Sequence, residues 1–406
     1  MRSTEMPTAL QCPILSEPKS AHLRVAMLLD YVWPSRASVF QTIAENVGDL
    51  RVICSQLRGA DRRWEVEFGG LSVCVQKTLS LPGRWRYSTG VSETRSVEFP
   101  LDTLPLLHSL KPDVVISGQL GFRSLSAAIY RLVSRRSRLV LWLQMSEHQQ
   151  MGHRPIRWVL RRLLLSVADH VITNGPSCTR YLLKYKYPSQ RITEINTICD
   201  LAPFLVLQRN VDWQKLKRLV YVGRLVEGKG LLPFLDVLES VVRDLPGIQV
   251  EFSIIGYGPL EEELRQWKSG CERLHVRCLG FVDSRVHPEV YLQGDVFVFP
   301  TLSDEWGLVV NEALAAGLPI FGSTFSQAVE CLVRDGANGF TFTPLMNDVG
   351  AKLKNLLMLS ERDIRELGEN GRVSISGLTP DHAASQFLDV IVACASTCPK
   401  SSTTGT

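Results

Sequence analysis

The chain has 406 residues, of which 45% are hydrophobic and 21% are charged, and it carries a formal net charge of +4. This length exceeds one ordinary hydrophobic core and indicates two domains, while the composition excludes a disordered or fibrous protein. The small net charge gives no indication of a nucleic-acid partner.

The ends of the chain and its cysteines indicate the cellular location of the protein. Residues 1–21 hold prolines and acids where a signal peptide needs an apolar core, so we expect a disordered segment and no export. No run of about 18 apolar residues occurs, so no membrane-spanning helix is expected. The ten cysteines lack zinc-site spacing, which favours a reduced, cytoplasmic protein. Residues 396–406 are predicted to be a second disordered tail.

From residue 22 onward, apolar strands alternate with amphipathic helices, which is typical of a doubly wound α/β sheet. Strands are predicted at residues 23–30, 50–56, 71–77, 113–118, 138–144 and 169–174, the last of which is taken as the final strand of the first domain. The segment 31–38 is predicted to be a loop, with a helix from about Val39. We assign residues 22–205 to this first domain.

Two stretches of the first domain carry candidate functional side chains. Glu147, His148 and His153 follow the predicted strand at 138–144, and His148 is the first choice among them because it lies just past the strand end. The helix from Arg154 to Leu165 mixes arginines with apolar residues. It either docks on anionic lipid headgroups or is a core helix with a solvated arginine face.

A second α/β pattern follows, and we assign it to a domain of residues 206–380. Its first strand, at 218–224, leads into VGRLVEGKG, which places Arg224 and Lys229 near a strand end. In the next unit, Gly256 and Gly258 lie between a strand and an acidic helix. These glycines do not predict a dinucleotide fingerprint, because Glu261 occupies the third glycine position.

The stretch DEWGLVVNEALAAGLP, from Asp304 to Pro319, follows an apolar strand predicted at residues 295–299. Its second half is predicted to be a helix that ends at Gly317. Helical spacing puts the carboxylate of Glu312 on the apolar face, where it needs partners, while Asp304 lies at the strand end. A carboxylate satisfied by backbone or by an arginine is the alternative explanation for Glu312.

Asp304 and Glu312, separated by seven residues, resemble the E-x7-E signature of the retaining family four glycosyltransferases, which have the GT-B fold. VGRLVEGKG also resembles the diphosphate-binding stretch of that family. The resemblance implies an α/β protein with two Rossmann-like domains around a central cleft, and a last helix, residues 381–395, that crosses back to the first domain. Since the family has Glu at the first acid position, Glu305 is the alternative to Asp304.

The resemblance implies transfer of a sugar from a UDP- or GDP-linked donor to a hydroxyl of a sugar, a glycolipid or another acceptor. Arg224 and Lys229 would stabilise the diphosphate leaving group. Asp304 would orient the donor sugar, Glu312 would bind the ribose hydroxyls, and His148 would touch the sugar. Further donor contacts would come from Gly223, Gly256, Gly258, Phe281, Glu305, Trp306, Gly307, Leu308 and Val309. No D-x-D triplet occurs, so no metal or other cofactor is expected.

Two loops are of interest beside the signature. The loop after the first strand usually carries paired glycines in this family, whereas this chain has YVWPSRAS. Either Arg36 or Ser38 takes over some donor contacts, or the loop is an ordinary one. The segment 322–330 is predicted to be another loop at a strand end.

Other functions are also compatible with this sequence. A sugar-nucleotide epimerase or hydrolase could share the fold, and a non-catalytic binding protein would explain the missing glycine pair. For the transferase, we expect a location in the cytoplasm, with peripheral contact at the inner face of an anionic membrane if the basic helix docks there.

Overall fold

The computed structural model describes residues 20–57, 68–86, 90, 92–149, 155–214, 216–282, 288–344 and 348–397. Most of the two segments predicted to be disordered, 1–21 and 396–406, lies outside these ranges. Within the ranges, Ser20 is buried and its hydroxyl donates to the carbonyl of Asn46 at 2.5 Å, so this residue packs against the first domain although it belongs to the segment predicted to be disordered.

The first half of the chain supplies nine strands and six helices to the described residues. They are β1 (Arg24–Leu29), α1 (Pro34–Asn46), β2 (Asp49–Cys54), β3 (Ser72–Val75), β4 (Thr78–Arg86), β5 (Ser92–Pro100), α2 (Thr103–Leu110), β6 (Val114–Gly118), α3 (Phe122–Val133), β7 (Arg138–Leu143), α4 (Pro155–Val167), β8 (His170–Thr173), α5 (Pro176–Leu183), β9 (Ile192–Glu194) and α6 (Ala202–Leu205). Seven of the strands form a parallel sheet in the order β3-β2-β1-β6-β7-β8-β9, and β4 pairs with β5 as an antiparallel hairpin.

The second half supplies a second sheet. Its elements are β10 (Leu216–Val222), α7 (Leu231–Arg243), β11 (Gln249–Ile255), α8 (Glu261–Gln266), β12 (Leu274–Gly280), β13 (Val296–Phe299), α9 (Leu308–Ala315), β14 (Ile320–Ser323), α10 (Gln327–Leu332), β15 (Gly339–Phe342), α11 (Val349–Leu357), α12 (Glu361–Ile375) and α13 (Pro380–Ser396). The six strands are parallel, in the order β12-β11-β10-β13-β14-β15. Two parallel sheets with helices on their faces confirm the predicted doubly wound α/β class.

Buried apolar side chains show how the chain divides between the two domains. The core of the first domain includes Ile195 and Ile198, whereas Cys199 already belongs to the core of the second. The last helix, α13, lies in the first core: Phe387 packs edge-on to Trp142, with ring centroids 5.0 Å apart. The change of core at Ile198 therefore precedes the predicted division at residue 205.

Two local predictions for the first domain are corrected, and one element was missed. The helix after β1 begins at Pro34 rather than near Val39, because the ring of proline fixes a φ that suits a first helical turn. The strand at His170–Thr173 is not the last of the sheet, since β9 pairs with it. The hairpin of β4 and β5 was not predicted from the sequence.

Candidate active site

The carboxyl ends of β10 and β13 lie side by side, because these two strands are neighbours in the second sheet. The chain order reverses at this point, since β11 and β12 continue to one side of β10 while β14 and β15 continue beyond β13. In open α/β sheets, ligands bind in the crevice outside the strand ends at such a reversal. Arg224 and Lys229 follow the first of these strands, and Asp304 follows the second.

The turn that carries Lys229 is held against the loop after β13. The backbone N–H of Leu302 donates to the carbonyl of Gly228 at 2.9 Å, and the hydroxyl of Thr301 donates to the same oxygen at 3.1 Å. Gly230 has a φ of +67°, and a Cβ at this position would come within 2.3 Å of the carbonyl oxygen of Pro300. Glycine is therefore required for the two strand-end loops to approach this closely.

Lys229 and Asp304 meet directly in this arrangement. The ammonium of Lys229 donates to a carboxylate oxygen of Asp304, and the backbone N–H of Trp306 donates to the other oxygen at 3.2 Å. Burial alone would raise the pKa of Asp304, but the charge and hydrogen bond of Lys229, the N–H of Trp306 and the charge of Arg224 hold it below its ordinary value. Two cations therefore keep this carboxyl group ionised.

The glycine turn after β11 packs under the turn after β10. The N–H of Gly223 donates to the carbonyl of Ile255 at 3.0 Å, and the N–H of Leu225 donates to that of Tyr257 at 2.8 Å. A Cβ on Gly256 would lie 1.8 Å from the carbonyl oxygen of Gly223, so a larger residue would separate the two turns. This close packing explains the glycine by itself, and its contact with a donor stays a prediction.

Further predicted donor contacts lie around the same strand ends. Gly258 packs in the same way, since a Cβ there would lie 2.3 Å from the carbonyl oxygen of Leu225. Phe281 follows β12, is 47% exposed and packs edge-on to Tyr257, with ring centroids 5.3 Å apart. The contacts of both residues with a donor stay predictions.

The helix with the second acid starts beside the first one. Gly307 precedes α9 with a φ of +102°, and a Cβ there would meet the ring of Phe299 at 2.8 Å. Leu308 and Val309 form the first turn and are half-buried. Trp306 is 4% exposed and its indole N–H donates to Asn311 at 2.9 Å, so its side chain belongs to the core and not to the open face of the site.

Glu312 has a partner that the sequence did not predict. The hydroxyl of Tyr291 donates to its carboxylate at 2.5 Å. Tyr291 lies in the 3₁₀ segment Pro288–Gln293 and is fully buried. Burial, followed by the charge and hydrogen bond of Glu312, raises the pKa of Tyr291 well above its ordinary value. Glu312 is half-buried, and a tyrosine hydroxyl binds its carboxylate. The alternative partners considered from the sequence were backbone groups and an arginine.

The two adjacent acids, Asp304 and Glu305, have different surroundings. Glu305 uses its backbone carbonyl as an acceptor for Asn174 at 2.6 Å and Gln327 at 2.7 Å. Burial lowers the pKa of Arg36 to about 10, and the negative charge of Glu305 opposes that change. The carboxylate of Glu305 therefore interacts electrostatically with Arg36. Asp304 thus interacts with Lys229 and Arg224 within the second domain, whereas Glu305 lies at the boundary between the domains.

Arg36 lies in the first turn of α1, inside the segment predicted to be a loop. Its guanidinium donates to Gln144 at 2.7 Å and lies 4.7 Å from the ring centroid of Trp142. The side chain is therefore held at the carboxyl end of β7, on the side that meets the second domain. Ser38 lies in the same helix, and its carbonyl accepts the hydroxyl of Thr42 at 3.3 Å.

His148 also lies at the boundary between the domains. Its ring stacks on Phe325 with centroids 4.0 Å apart and an angle of 13° between the planes. Burial lowers the pKa of His148, although the charges of Glu147 and Glu330 act to raise it. Glu147 itself pairs with Arg180 at 2.8 Å, which makes it part of an ion-pair network, and His153 lies outside the described residues.

Two buried amides were missed at the sequence level. The loop predicted at 322–330 is mostly regular structure, since β14 extends to Ser323 and α10 begins at Gln327. The side chain of Gln327 is 1% exposed and bonds to that of Asn174 at 3.0 Å, across the domain boundary. A single glutamine or asparagine near a strand end carries no distinctive spacing, so the sequence gives no signal for this contact.

The described residues contain no group of three or more His, Cys, Asp and Glu side chains that could hold a metal ion. None of the helices in this part of the chain has the length and hydropathy needed to cross a bilayer.

Two known protein families match this chain, one over each domain. Residues 45–202 match the family described as Glycosyltransferase Family 4, and residues 216–358 match the family described as Glycosyl transferases group 1. These two matches include six of the seven strands of the first sheet, the whole second sheet, and the loops with Lys229 and Asp304. The chain belongs to glycosyltransferase family 4. The resemblance to the family four glycosyltransferases is therefore confirmed.

Curated relatives of this glycosyltransferase match it over limited segments. Sulfoquinovosyl transferase SQD2 of Arabidopsis thaliana is 33% identical over 151 residues, which are 36% of this chain and 28% of that protein. The phosphatidyl-myo-inositol mannosyltransferase of Mycobacterium leprae (strain TN) is 34% identical over 125 residues, which are 30% of this chain and 32% of that protein. The matches thus span less than a third of these relatives' own lengths.

Solved structures extend the likeness to nearly the whole glycosyltransferase chain. HepE of Anabaena, in complex with UDP, has a TM-score of 0.67 at 16% identity, covering 91% of this chain and 100% of HepE. The lipopolysaccharide outer core galactosyltransferase WaaB, in its apo form, has a TM-score of 0.66 at 14% identity, covering 91% and 99%. At these identities the likeness shows the fold, which is GT-B as predicted.

Proposed function

We propose that this protein transfers a sugar from a nucleotide-sugar donor to an acceptor hydroxyl, with retention of configuration and without a metal ion. The observation that carries the proposal is the contact between Lys229 and Asp304 at the chain reversal of the second sheet, with Arg224 close enough to lower the pKa of the same carboxyl group. Family membership supports the transfer reaction, and the retaining outcome is implied by that family alone.

The cations explain how the bond to the nucleotide would break. As the anomeric carbon separates from the diphosphate oxygen, the bonding electrons pass to the diphosphate, and Arg224 and Lys229 stabilise the added charge. The acceptor oxygen bonds to the same carbon, and its proton leaves to a phosphate oxygen or to water. Asp304, ionised beside Lys229, accepts hydrogen bonds from the sugar hydroxyls and so orients the ring.

The nucleotide would lie along the strand ends of the second domain. Glu312, with one carboxylate oxygen held by Tyr291, binds the ribose hydroxyls, and the exposed ring of Phe281 lies near the base. HepE has been solved with UDP and with UDP-glucose, which favours a uridine nucleotide here, with a guanosine nucleotide as the alternative.

The surface of the first domain favours a lipid-linked acceptor at an anionic membrane. The outward side of α3 is apolar, with Phe122, Leu125, Ile129 and Leu132 between 40% and 65% exposed. Its inward side carries Arg123, Ser124, Ala127 and Ala128, all of them buried. The alanines of the inward side join the hydrophobic core, so this helix is apolar on both sides. Its exposed side forms an apolar patch of the kind that contacts a membrane or a partner.

The neighbouring helix α4 continues the same surface. Trp158, Val159, Leu160 and Leu163 are 37% to 58% exposed, and the guanidinium of Arg162 lies 5.4 Å from the ring centroid of Trp158. No Asp or Glu occurs in α2, α3 or α4, so the exposed basic groups favour anionic headgroups over a neutral surface. The predicted contribution of Arg154 lies outside the described residues. We therefore propose that the protein is a peripheral enzyme at the inner face of a membrane.

A panel of sugar nucleotides tests the donor proposal. Binding to the folded state raises the melting temperature, so UDP-sugars should stabilise the protein, and product formation should be followed with the donor that stabilises most. Activity should persist in excess EDTA. Loss of activity that manganese or magnesium restores would contradict metal independence, and absence of stabilisation by every nucleotide sugar would contradict the transferase.

Two other functions have distinct outcomes in the same assay. A sugar-nucleotide hydrolase or epimerase would consume the donor without an acceptor. A non-catalytic binding protein would bind the donor and leave it unchanged. Arg224, Lys229 and Glu312 favour an enzyme over a non-catalytic binding protein, and the dependence of donor consumption on an acceptor separates the transferase from a hydrolase or epimerase.

A further inference from the structure

The loop of residues 304–306, here named the acid loop, is joined to the start of α10 by backbone contacts. The N–H of Asp304 donates to the carbonyl of Phe325 at 3.1 Å. The carbonyl of Trp306 accepts the N–H of Ala328 at 3.0 Å and the hydroxyl of Ser326 at 2.5 Å. Any movement of the first turn of α10 therefore carries the acid loop with it.

The side chain of Gln327 lies at the centre of this junction. Its amide nitrogen is 2.8 Å from the carbonyl oxygen of Met145, 2.7 Å from that of Glu305 and 3.0 Å from the side-chain oxygen of Asn174. Its amide oxygen accepts the backbone N–H of Cys178 at 3.1 Å. All neighbours of the nitrogen are acceptors and the neighbour of the oxygen is a donor, which fixes the orientation of the amide.

Three of these four contacts cross between the domains. Met145, Asn174 and Cys178 lie near the carboxyl ends of β7 and β8 in the first domain, whereas Gln327 and Glu305 belong to the second. Asn174 also donates to the carbonyl of Glu305 at 2.6 Å, so the acid loop is bonded to the first domain directly as well. These interdomain contacts exist only while the domains are together, and water replaces them as partners of the amide when the domains separate.

We propose that Gln327 is a positioning residue that couples closure of the two domains to the placement of the acid loop. The inference rests on the proposed transferase function, in which Asp304 orients the donor sugar. When the domains separate, Gln327 loses its three partners in the first domain and Glu305 loses Asn174. The acid loop then keeps its bonds to α10 and Lys229 but is no longer fixed relative to the acceptor side.

Replacing Gln327 with Met tests the coupling, because Gln327→Met removes the polar contacts while keeping the side chain long. The transfer rate should fall by about tenfold to a hundredfold, since misplacing reacting groups has effects of that size. Donor affinity should stay within about twofold, because the proposed contacts to the nucleotide and its diphosphate all lie in the second domain. Small-angle scattering should show a larger radius of gyration for the variant than for the wild type.

A peripheral contact provides the matched control. Arg180 and Glu330 form an ion pair at 2.7 Å across the same boundary, but Arg180 is 44% exposed. Since exposed pairs contribute little, Glu330→Gln should change neither the transfer rate nor the scattering appreciably. A loss equal to that of Gln327→Met would show that any cross-domain contact has the same effect, and would overturn the specific role of the amide.

A double-mutant cycle completes the test. Asn174→Ala and Gln327→Met remove two donors from the same carbonyl, so their effects on the transfer rate should be less than additive. Additive effects, or an unchanged rate in a folded Gln327→Met variant, would overturn the coupling. If the wild type transfers no sugar, the transferase proposal fails separately, and an equal radius of gyration for wild type and Gln327→Met would then overturn the closure role.

Discussion

Lys229 donates its ammonium hydrogen bond to Asp304, although the two residues are 75 positions apart in the chain. The side chains are 12% and 18% exposed, so the pair is largely withdrawn from water. Removing one member would leave the other charge buried and alone, which costs much more than losing a surface pair. The contact therefore has a structural role in addition to its proposed role with the donor.

Arg224 gives the cleaner test of the diphosphate site, because Lys229→Ala also strips Asp304 of its partner. Arg224→Ala should lower the transfer rate by about a hundredfold or more, the usual effect of removing one group that stabilises developing charge. Steady-state rates with a saturating donor measure this effect. Arg265, which pairs with Glu261 on the surface of the same domain, is the matched control. A folded Arg224→Ala variant with near wild-type transfer would exclude the assignment.

The pair also predicts how stability depends on pH. The pKa of Asp304 is lower in the folded protein than its ordinary value of about 3.9, so its contribution is present above that pH and is lost as the pH falls through the folded value. Urea unfolding of wild type and Asp304→Asn between about pH 6 and pH 3 should give curves that converge on acidification. Asp236→Asn, which changes an exposed carboxylate, serves as the control. A constant difference in the free energy of unfolding between wild type and Asp304→Asn across this pH range would contradict the prediction.

The sequence predicted the parallel strands and the strand ends that carry Arg224, Lys229 and Asp304, because hydrophobic runs and glycine turns are local features. It did not predict the partners of the acids. Tyr291 lies 21 positions from Glu312, and Gln327 reaches residues of the other domain, so neither contact has a periodic or spacing signal. Such contacts depend on how the two sheets and their loops pack, which single-sequence patterns do not encode.

The contact between Tyr291 and Glu312 allows structural and binding roles of the acid to be separated. Glu312→Gln keeps the shape but weakens acceptance from ribose hydroxyls, so donor binding should weaken by about 1.5 to 3 kcal/mol. Tyr291→Phe keeps the carboxylate and should lower the free energy of unfolding by about 1.5 to 3 kcal/mol, with a smaller loss of donor affinity. Calorimetric titration and urea unfolding measure both quantities. A larger loss of affinity for Tyr291→Phe would point to a purely structural acid.

The apolar surface of α3 and α4 predicts selective binding to membranes. The protein should pellet with vesicles that contain anionic lipid, less strongly at high salt, and not with neutral vesicles. Leu132→Gln should reduce binding by several-fold, on the order expected for losing one exposed apolar side chain from the interface. Val373 of α12 is exposed to nearly the same degree, at 66% against 65%, so Val373→Gln is the matched control. Equal binding to both vesicle types would instead support the alternative that α4 is a core helix with a solvated arginine face.

The last prediction decides which of the adjacent acids, Asp304 or Glu305, works on the donor. Asp304 contacts Lys229, while Glu305 gives its backbone carbonyl to Gln327 and its charge acts on Arg36. Asp304→Asn should therefore lower the transfer rate by about a hundredfold, the scale for a lost electrostatic contact in an active site, whereas Glu305→Gln should lower it by less than tenfold.

Asp304→Glu adds a further measurement to that comparison. The carboxylate of Asp304 is already held by Lys229 and by the N–H of Trp306, so one more methylene would displace it from both. This variant should be slower than the wild type even though the family has Glu at this position. Transfer rates and donor affinities of the three variants are measured together. If Glu305→Gln is the damaging change and Asp304→Asn is nearly silent, Glu305 is the working acid, and the contact with Lys229 only supports the fold.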